Sequence, residues 1–114
     1  MNLISDDHYA QLRSNAQYAI HHARFDPFPV VKLFTPDAGA TWLLTEVDLD
    51  YEDRCFGFCD LGLGFPELGY VSVRELQSVR GGLGLTVEHD LHFVATKTLN
   101  AYAKEARLAE RIVA

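Results

Sequence analysis

Residues 41–53 read Thr41-Trp42-Leu43-Leu44-Thr45-Glu46-Val47-Asp48-Leu49-Asp50-Tyr51-Glu52-Asp53, and the parsing of this stretch decides the fold. Threonine, tryptophan and valine favour strands, and from Glu46 onward acids alternate with apolar residues at the two-residue period of a half-buried strand. On such a ribbon Glu46, Asp48 and Asp50 share one face while Val47, Leu49 and Tyr51 share the other. The apolar face has a core to pack on. The acidic face has three uses: it meets solvent, it holds a divalent cation, or it presents negative charge to a protein that normally grips nucleic acid.

Working outward, Val30 to Phe34 is a second strand-like run. It is separated from Thr41 by Thr35-Pro36-Asp37-Ala38-Gly39-Ala40, a turn by composition, so the two runs predict a β-hairpin. Arg54 to Asp60 alternates again, with Phe56 and Phe58 opposite Cys55, Gly57 and Cys59. Glu67 to Val71 follows a glycine-rich connector, and Thr86 to Val94 reads as a final strand. Ser5 is an N-cap with Asp6 and Asp7 in the first turn, and Ile4 can staple against Tyr9. The stripe Tyr9, Leu12, Ala16, Ala19, Ile20 and Ala23 predicts an amphipathic helix of about 18 residues. Ser72 with Glu75 forms a capping box for a short helix at about 73–80, stopped by Gly81-Gly82. Thr98 caps a C-terminal helix whose Leu99, Tyr102, Ala106, Ala109 and Val113 share a face.

Helix, four strands, short helix, strand, helix: consecutive strands with short turns favour an antiparallel sheet, with the end helices covering one face. The expected class is α+β, a mainly antiparallel sheet of about five strands with N-terminal and C-terminal helices packed on it. The 114 residues fit a single domain, 1–114. With 48% hydrophobic and 23% charged residues the chain is ordinary for a globular protein, and no repeat or low-complexity segment interrupts it.

Met1 to Asp7 carries no basic leader or apolar signal core, and no apolar run approaches the roughly 20 residues of a membrane helix. A cytoplasmic location with no membrane association is expected. If residues 54–60 are extended, Cys55 and Cys59 lie about 13 Å apart at roughly 3.3 Å per residue, too far to pair. They read as free, mostly buried thiols.

The net charge of −6 is uneven. Residues 37–90 hold eleven acids against Arg54, Arg74 and Arg80, whereas residues 91–114 hold two acids against four cations. Direct binding of duplex DNA is therefore not expected, because it is carried by Lys and Arg neutralising phosphates.

Several constellations invite chemistry. Glu88, Asp90 and His92 would share one face of the last strand, but their spacing matches no specific zinc pattern, and a solvated polar face explains them. Gly62-x-Gly64 and Gly81-Gly82-x-Gly84 lack the strand-to-helix context and lysine of a phosphate loop and read as turns. Trp42, Phe56, Phe58 and Tyr70 lie among acids, where stacking sites for single strands need cations, so they read as core aromatics. His21-His22 at a helix end complement the helix dipole.

The ordered set Pro29-Val30-Val31-Lys32-Leu33-Phe34-Thr35-Pro36, Thr41-Trp42-Leu43-Leu44-Thr45-Glu46, Phe56-Gly57, Glu67-Leu68-Gly69-Tyr70 and Leu76-Gln77-Ser78-Val79-Arg80-Gly81 resembles an uncharacterised domain-of-unknown-function family. Its members are carried on bacterial plasmids, phages and integrated conjugative elements. The resemblance covers about residues 28–93 and implies a bacterial origin and a mobile-element context. It implies no reaction and no catalytic residues.

The resulting expectation is a non-enzymatic accessory or anti-defence protein of a bacterial mobile element. It binds a host or element protein, such as a nucleic-acid-binding protein, through an acidic face at Glu46, Asp48, Asp50, Glu52 and Asp53, by mimicry of nucleic acid. Clustered carboxylates can occupy a Lys/Arg groove, with an affinity that falls as salt screens the pairing. No cofactor, metal or catalytic residue is assigned. One alternative is a metal-dependent nuclease or other enzyme acting on single-stranded nucleic acid, using Glu46, Asp48 and Asp50 or Glu88, Asp90 and His92. Another is a subunit of a DNA-processing complex, docking through the C-terminal helix with Lys97, Lys104, Arg107 and Arg111.

Overall fold

The computed structural model describes residues 3–114; Met1 and Asn2, on which part of the expectation for residues 1–7 falls, lie outside them. In chain order the elements are α1 (Asp6–Ala19), β1 (Val31–Phe34), β2 (Thr41–Val47), β3 (Arg54–Asp60), β4 (Glu67–Ser72), α2 (Val73–Ser78), β5 (Glu88–His89) and α3 (Leu99–Ala109). The five strands form one sheet in the order β4-β3-β2-β1-β5. Every neighbouring pair is antiparallel, which is the α+β architecture expected. No helix among the described residues is long and apolar enough to cross a membrane.

The predicted caps are in place. Ser5 accepts the N–H of His8, Ser72 that of Glu75 and Thr98 that of Ala101, each satisfying a donor that a helix start leaves without a partner. Both end helices stop short of expectation, α1 at 14 residues, before Ala23, and α3 at Ala109, before Val113. Two strand boundaries move as well, for one physical reason. The last strand shrinks from Thr86–Val94 to Glu88–His89, because Asp90 turns the chain by accepting the N–H of His92 on its side chain and that of Phe93 on its carbonyl. Aspartate side chains that bond two residues ahead compete with the strand ladder in this way. The ribbon from Glu46 onward ends at Val47 for the same reason, developed below.

The terminal helices do not share a face of the sheet. α1 and α2 pack on one side with Leu12, Ala16, Val73 and Leu76 against Val31, Leu33, Trp42, Leu44, Val47 and Cys55. α3 packs on the other with Leu99, Tyr102, Ala103 and Ala106 against Leu43 and Phe58. The cause is legible in β2, where Trp42, Leu43, Leu44 and Thr45 are buried without interruption. A strand apolar on both sides needs cover on both.

The β2–β3 register shifts between Leu44 and Glu46. A bulge of this kind leaves a backbone group off the ladder, and Asn15 of α1, itself buried, donates its side-chain amide to the carbonyl of Thr45 at 2.9 Å. Opposite the bulge, a Cβ at Gly57 would stand 1.9 Å from the Leu43 carbonyl oxygen, so the β2 and β3 backbones meet this closely only around a glycine.

Cys55 is buried, Cys59 partly so, and both are free thiols. Burial pushes their pKa values up to about 12 and about 11, which keeps them protonated and poor nucleophiles at neutral pH.

Candidate functional site

Residues 48–53 link β2 to β3, and their geometry corrects the strand expected there. One carboxylate oxygen of Asp48 accepts the N–H groups of Asp50 (2.9 Å) and Tyr51 (3.3 Å), and the other accepts from the Arg54 guanidinium at 2.5 Å. Backbone bonds from Asp48 N–H to Arg54 O (2.8 Å) and from Arg54 N–H to Tyr51 O (2.8 Å) close the turn. Asp48 is thus a turn residue whose side chain replaces the missing strand partner. Arg54 and the turn N–H groups hold its carboxyl below the usual aspartate range.

Asp53 does comparable work at α2. Its carbonyl accepts the Val73 N–H at 2.8 Å, and its carboxylate accepts the Arg74 N–H at 2.9 Å and the Ser72 hydroxyl at 2.5 Å. The Ser72 hydroxyl and the Arg74 N–H lower its pKa. Glu52 pairs with Arg13 of α1 at 2.5 Å. Glu46, opposite Phe56 in the ladder, is half-buried, and burial pushes its pKa up. Asp50 is exposed, and among the described residues its carboxylate has neither a hydrogen bond nor an ion pair.

The five predicted acids therefore lie on one end of the sheet without forming a bare negative ribbon. Two face arginines, one opens a helix, one is half-buried, and Asp50 alone is unengaged. With them stands an aromatic group that composition had assigned to the core. Trp42 and Phe58 are buried as expected. Tyr51 is 65% exposed and Tyr70 57% exposed. The Arg54 guanidinium lies 5.0 Å from the Tyr51 ring centre and 5.6 Å from that of Tyr70, whose ring meets Phe56 edge-on at 5.2 Å. The result is a braced tip carrying Leu49, Asp50, Tyr51 and Glu52, backed by Arg54 and Tyr70. Exposed tyrosine and arginine side chains of this kind can supply contact area and directional bonds at little ordering cost.

The other candidates are dispersed. Of Glu88, Asp90 and His92 only Glu88 lies on β5, while Asp90 faces Lys32 at 3.6 Å. Among the described residues no three His, Cys, Asp or Glu side chains form a group that could hold one metal ion. On and around α3, Lys97 pairs with Glu105 at 2.6 Å, whereas Lys104, Arg107 and Arg111 are exposed and in no ion pair among the described residues. Two depressions of about 370 and 480 Å³ flank the chain after α3, sharing Lys32 and Asp90 in their walls.

Four organising residues carried no obvious signal. Asn15 lies beside Leu12 and Ala16 on the buried side of α1. Asp26 accepts the Asn100 N–H at the start of α3, Asp37 accepts those of Leu83 and Leu85, and buried Asp60 accepts those of Gly62 and Ile112. The available hint was aspartate placed at element ends, where its side chain competes best for backbone donors.

Comparison with known proteins adds family membership. No curated protein and no solved structure matches the chain. A family model described as "Protein of unknown function (DUF2958)" matches residues 3–113, which takes in both terminal helices beyond the 28–93 of the resemblance. The chain belongs to that family.

Proposed function

We propose that this family member is a non-enzymatic accessory protein that binds another protein through the β2–β3 tip. The observation that carries the reading is the rigidity of that tip: Asp48, Arg54 and Asp53 fix its backbone while Leu49, Asp50 and Tyr51 stay exposed. A preorganised loop loses little entropy when a partner closes on it. The mixed character of the surface favours a partner with a basic rim and an apolar pocket for Tyr51. Pure mimicry of nucleic acid has less support, because Asp48 and Glu52 already face Arg54 and Arg13. An anti-defence role in a mobile element rests on the sequence resemblance, with a nucleic-acid-binding protein as the partner class.

Affinity capture from bacterial lysate at rising salt tests this with Asp50→Lys combined with Tyr51→Ala, which leaves the turn's side-chain hydrogen bonds intact. The reading predicts a protein bound at low salt, released as salt rises and absent with the variant. Capture of the same proteins by both forms contradicts it. A second reading, a subunit of a DNA-processing complex, draws on the exposed Lys104, Arg107 and Arg111. It predicts salt-sensitive binding of single-stranded DNA that is lost when the three are changed to glutamate.

A further inference from the structure

The two edges of the sheet are built differently. β5 ends the sheet with two residues, too short to template another strand. β4 ends it with six, Glu67 to Ser72, paired only to β3. Among the described residues no strand, helix or bulge covers its outer row of N–H and C=O groups, no lysine lies in it, and its proline, Pro66, precedes it. Natural edges of this length are normally blunted by such devices. The side chains are equally unguarded: Leu68 is 40% exposed and Tyr70 is exposed beside it, both on the α3 side of the sheet. Leu63 and Phe65, in the connection leading into β4, are exposed as well.

We propose that β4 pairs antiparallel with β4 of a second copy of this chain, about a two-fold axis at Gly69, extending the sheet across the dimer. The register follows from the sequence. Centring on Gly69 sets Leu68 opposite the partner copy's Tyr70 twice on the α3 side, the aromatic–aliphatic pairing that cross-strand contacts favour. It keeps the two Glu67 carboxylates apart, each opposite Val71, and it places no side chain at the crossing. Two identical edges thus meet with no like charges opposite and no side chain at the crossing, the self-complementarity that an isologous interface requires, and this favours a second copy as the occupant.

The area fits a reversible dimer. A strand about 20 Å long in a layer about 10 Å thick presents on the order of 200 Å² per copy. Covering Leu63 and Phe65 adds on the order of 300 Å². The total over both copies comes to roughly 1,000 Å², the lower limit for a specific interface. The inference rests on the β4 edge, which shares Tyr70 with the β2–β3 tip, and Gly69→Lys leaves Tyr70 in place, so the failure of one reading is distinguishable from the failure of the other.

Sedimentation velocity of the full chain from low micromolar to several hundred micromolar tests it, with Gly69→Lys as the variant. A Cβ at Gly69 meets nothing within 4 Å in the single chain, so the fold tolerates lysine there. In the dimer the two lysines would stand directly opposite, a like-charge pair that disfavours strand pairing. The expected result is a concentration-dependent rise of the wild type toward twice the monomer mass, and a Gly69→Lys protein with unchanged circular dichroism that stays monomeric. A wild type that stays monomeric throughout overturns the proposal, as does a folded Gly69→Lys protein that still dimerises. If Gly69→Lys does not fold, Tyr70→Thr replaces it under the same criteria.

Discussion

Six of the nine aspartates, Asp26, Asp37, Asp48, Asp53, Asp60 and Asp90, give a carboxylate oxygen to a backbone N–H. Much of the negative charge of this chain is therefore spent on holding the backbone, so net charge is a poor guide to its surface. Asp6 and Asp7 stand in the first turn of α1, where the helix dipole favours them, which leaves Asp50 as the aspartate without a structural task among the described residues. At the same scale, Gly57 is fixed by close approach and not by backbone dihedral. Gly57→Ala must push the β2 and β3 backbones apart, and a cost of about 2–4 kcal/mol is expected from the overpacking range and its upward tail. Urea unfolding measures it; a change below about 0.5 kcal/mol would show that the strands separate freely.

At the scale of elements, the bulge in β2 is held from outside the sheet by Asn15 of α1. Asn15→Ala leaves the Thr45 carbonyl buried without its partner, at an expected cost of about 1–3 kcal/mol. Asn15→Asp removes the donor in the same way and adds a buried charge, so it should be worse than alanine; equal or better stability in thermal unfolding would remove the bridge from the account. Most elements were legible in the sequence because alternation, caps and turn composition agreed: Ser5, Ser72 and Thr98 stand where the caps are, and the strand runs at 31–34, 54–60 and 67–72 lie within a residue of expectation. Both misread strands fail at an aspartate, Asp48 and Asp90. Alternation counts side chains and is blind to an aspartate oxygen that takes the next backbone donors. The run of acids between β2 and β3 is legible in the sequence, but the arginine and tyrosine beside it, Arg54 and Tyr70, come from β3 and β4 and depend on strand pairing that local patterns do not encode.

For the whole molecule, the two-sided cover of the sheet and the aspartate bonds together set the response to acid. Asp48 and Asp53 have lowered pKa values, so their stabilisation is complete above the unfolded value of about 3.9 and is lost as pH falls through the lower folded values. His89, whose ring meets His8 at 4.9 Å, is lowered by burial and then by His8, so its contribution is complete above about 6.5 and declines below that. Glu46, raised by burial, has the opposite sign: it favours the folded state at low pH and loses that benefit as pH rises through its folded value. Melting temperature should therefore fall in two stages on acidification, a shallow one below about pH 6.5 and a second below about pH 4. His89→Gln should remove the first stage, and a wild-type profile flat from neutrality to about pH 4 would contradict the assignment.

The division of labour among the tip carboxylates is the claim on which the functional reading depends, and equilibrium urea unfolding of Asp53→Ala beside Asp50→Ala tests it most directly. The expected loss is about 1–2 kcal/mol for Asp53→Ala, whose carboxylate accepts the Arg74 N–H at the start of α2, and the expected change is within about 0.5 kcal/mol for Asp50→Ala, whose side chain only faces solvent. Two equally small changes would contradict it, because the acids would then be interchangeable members of one exposed negative face.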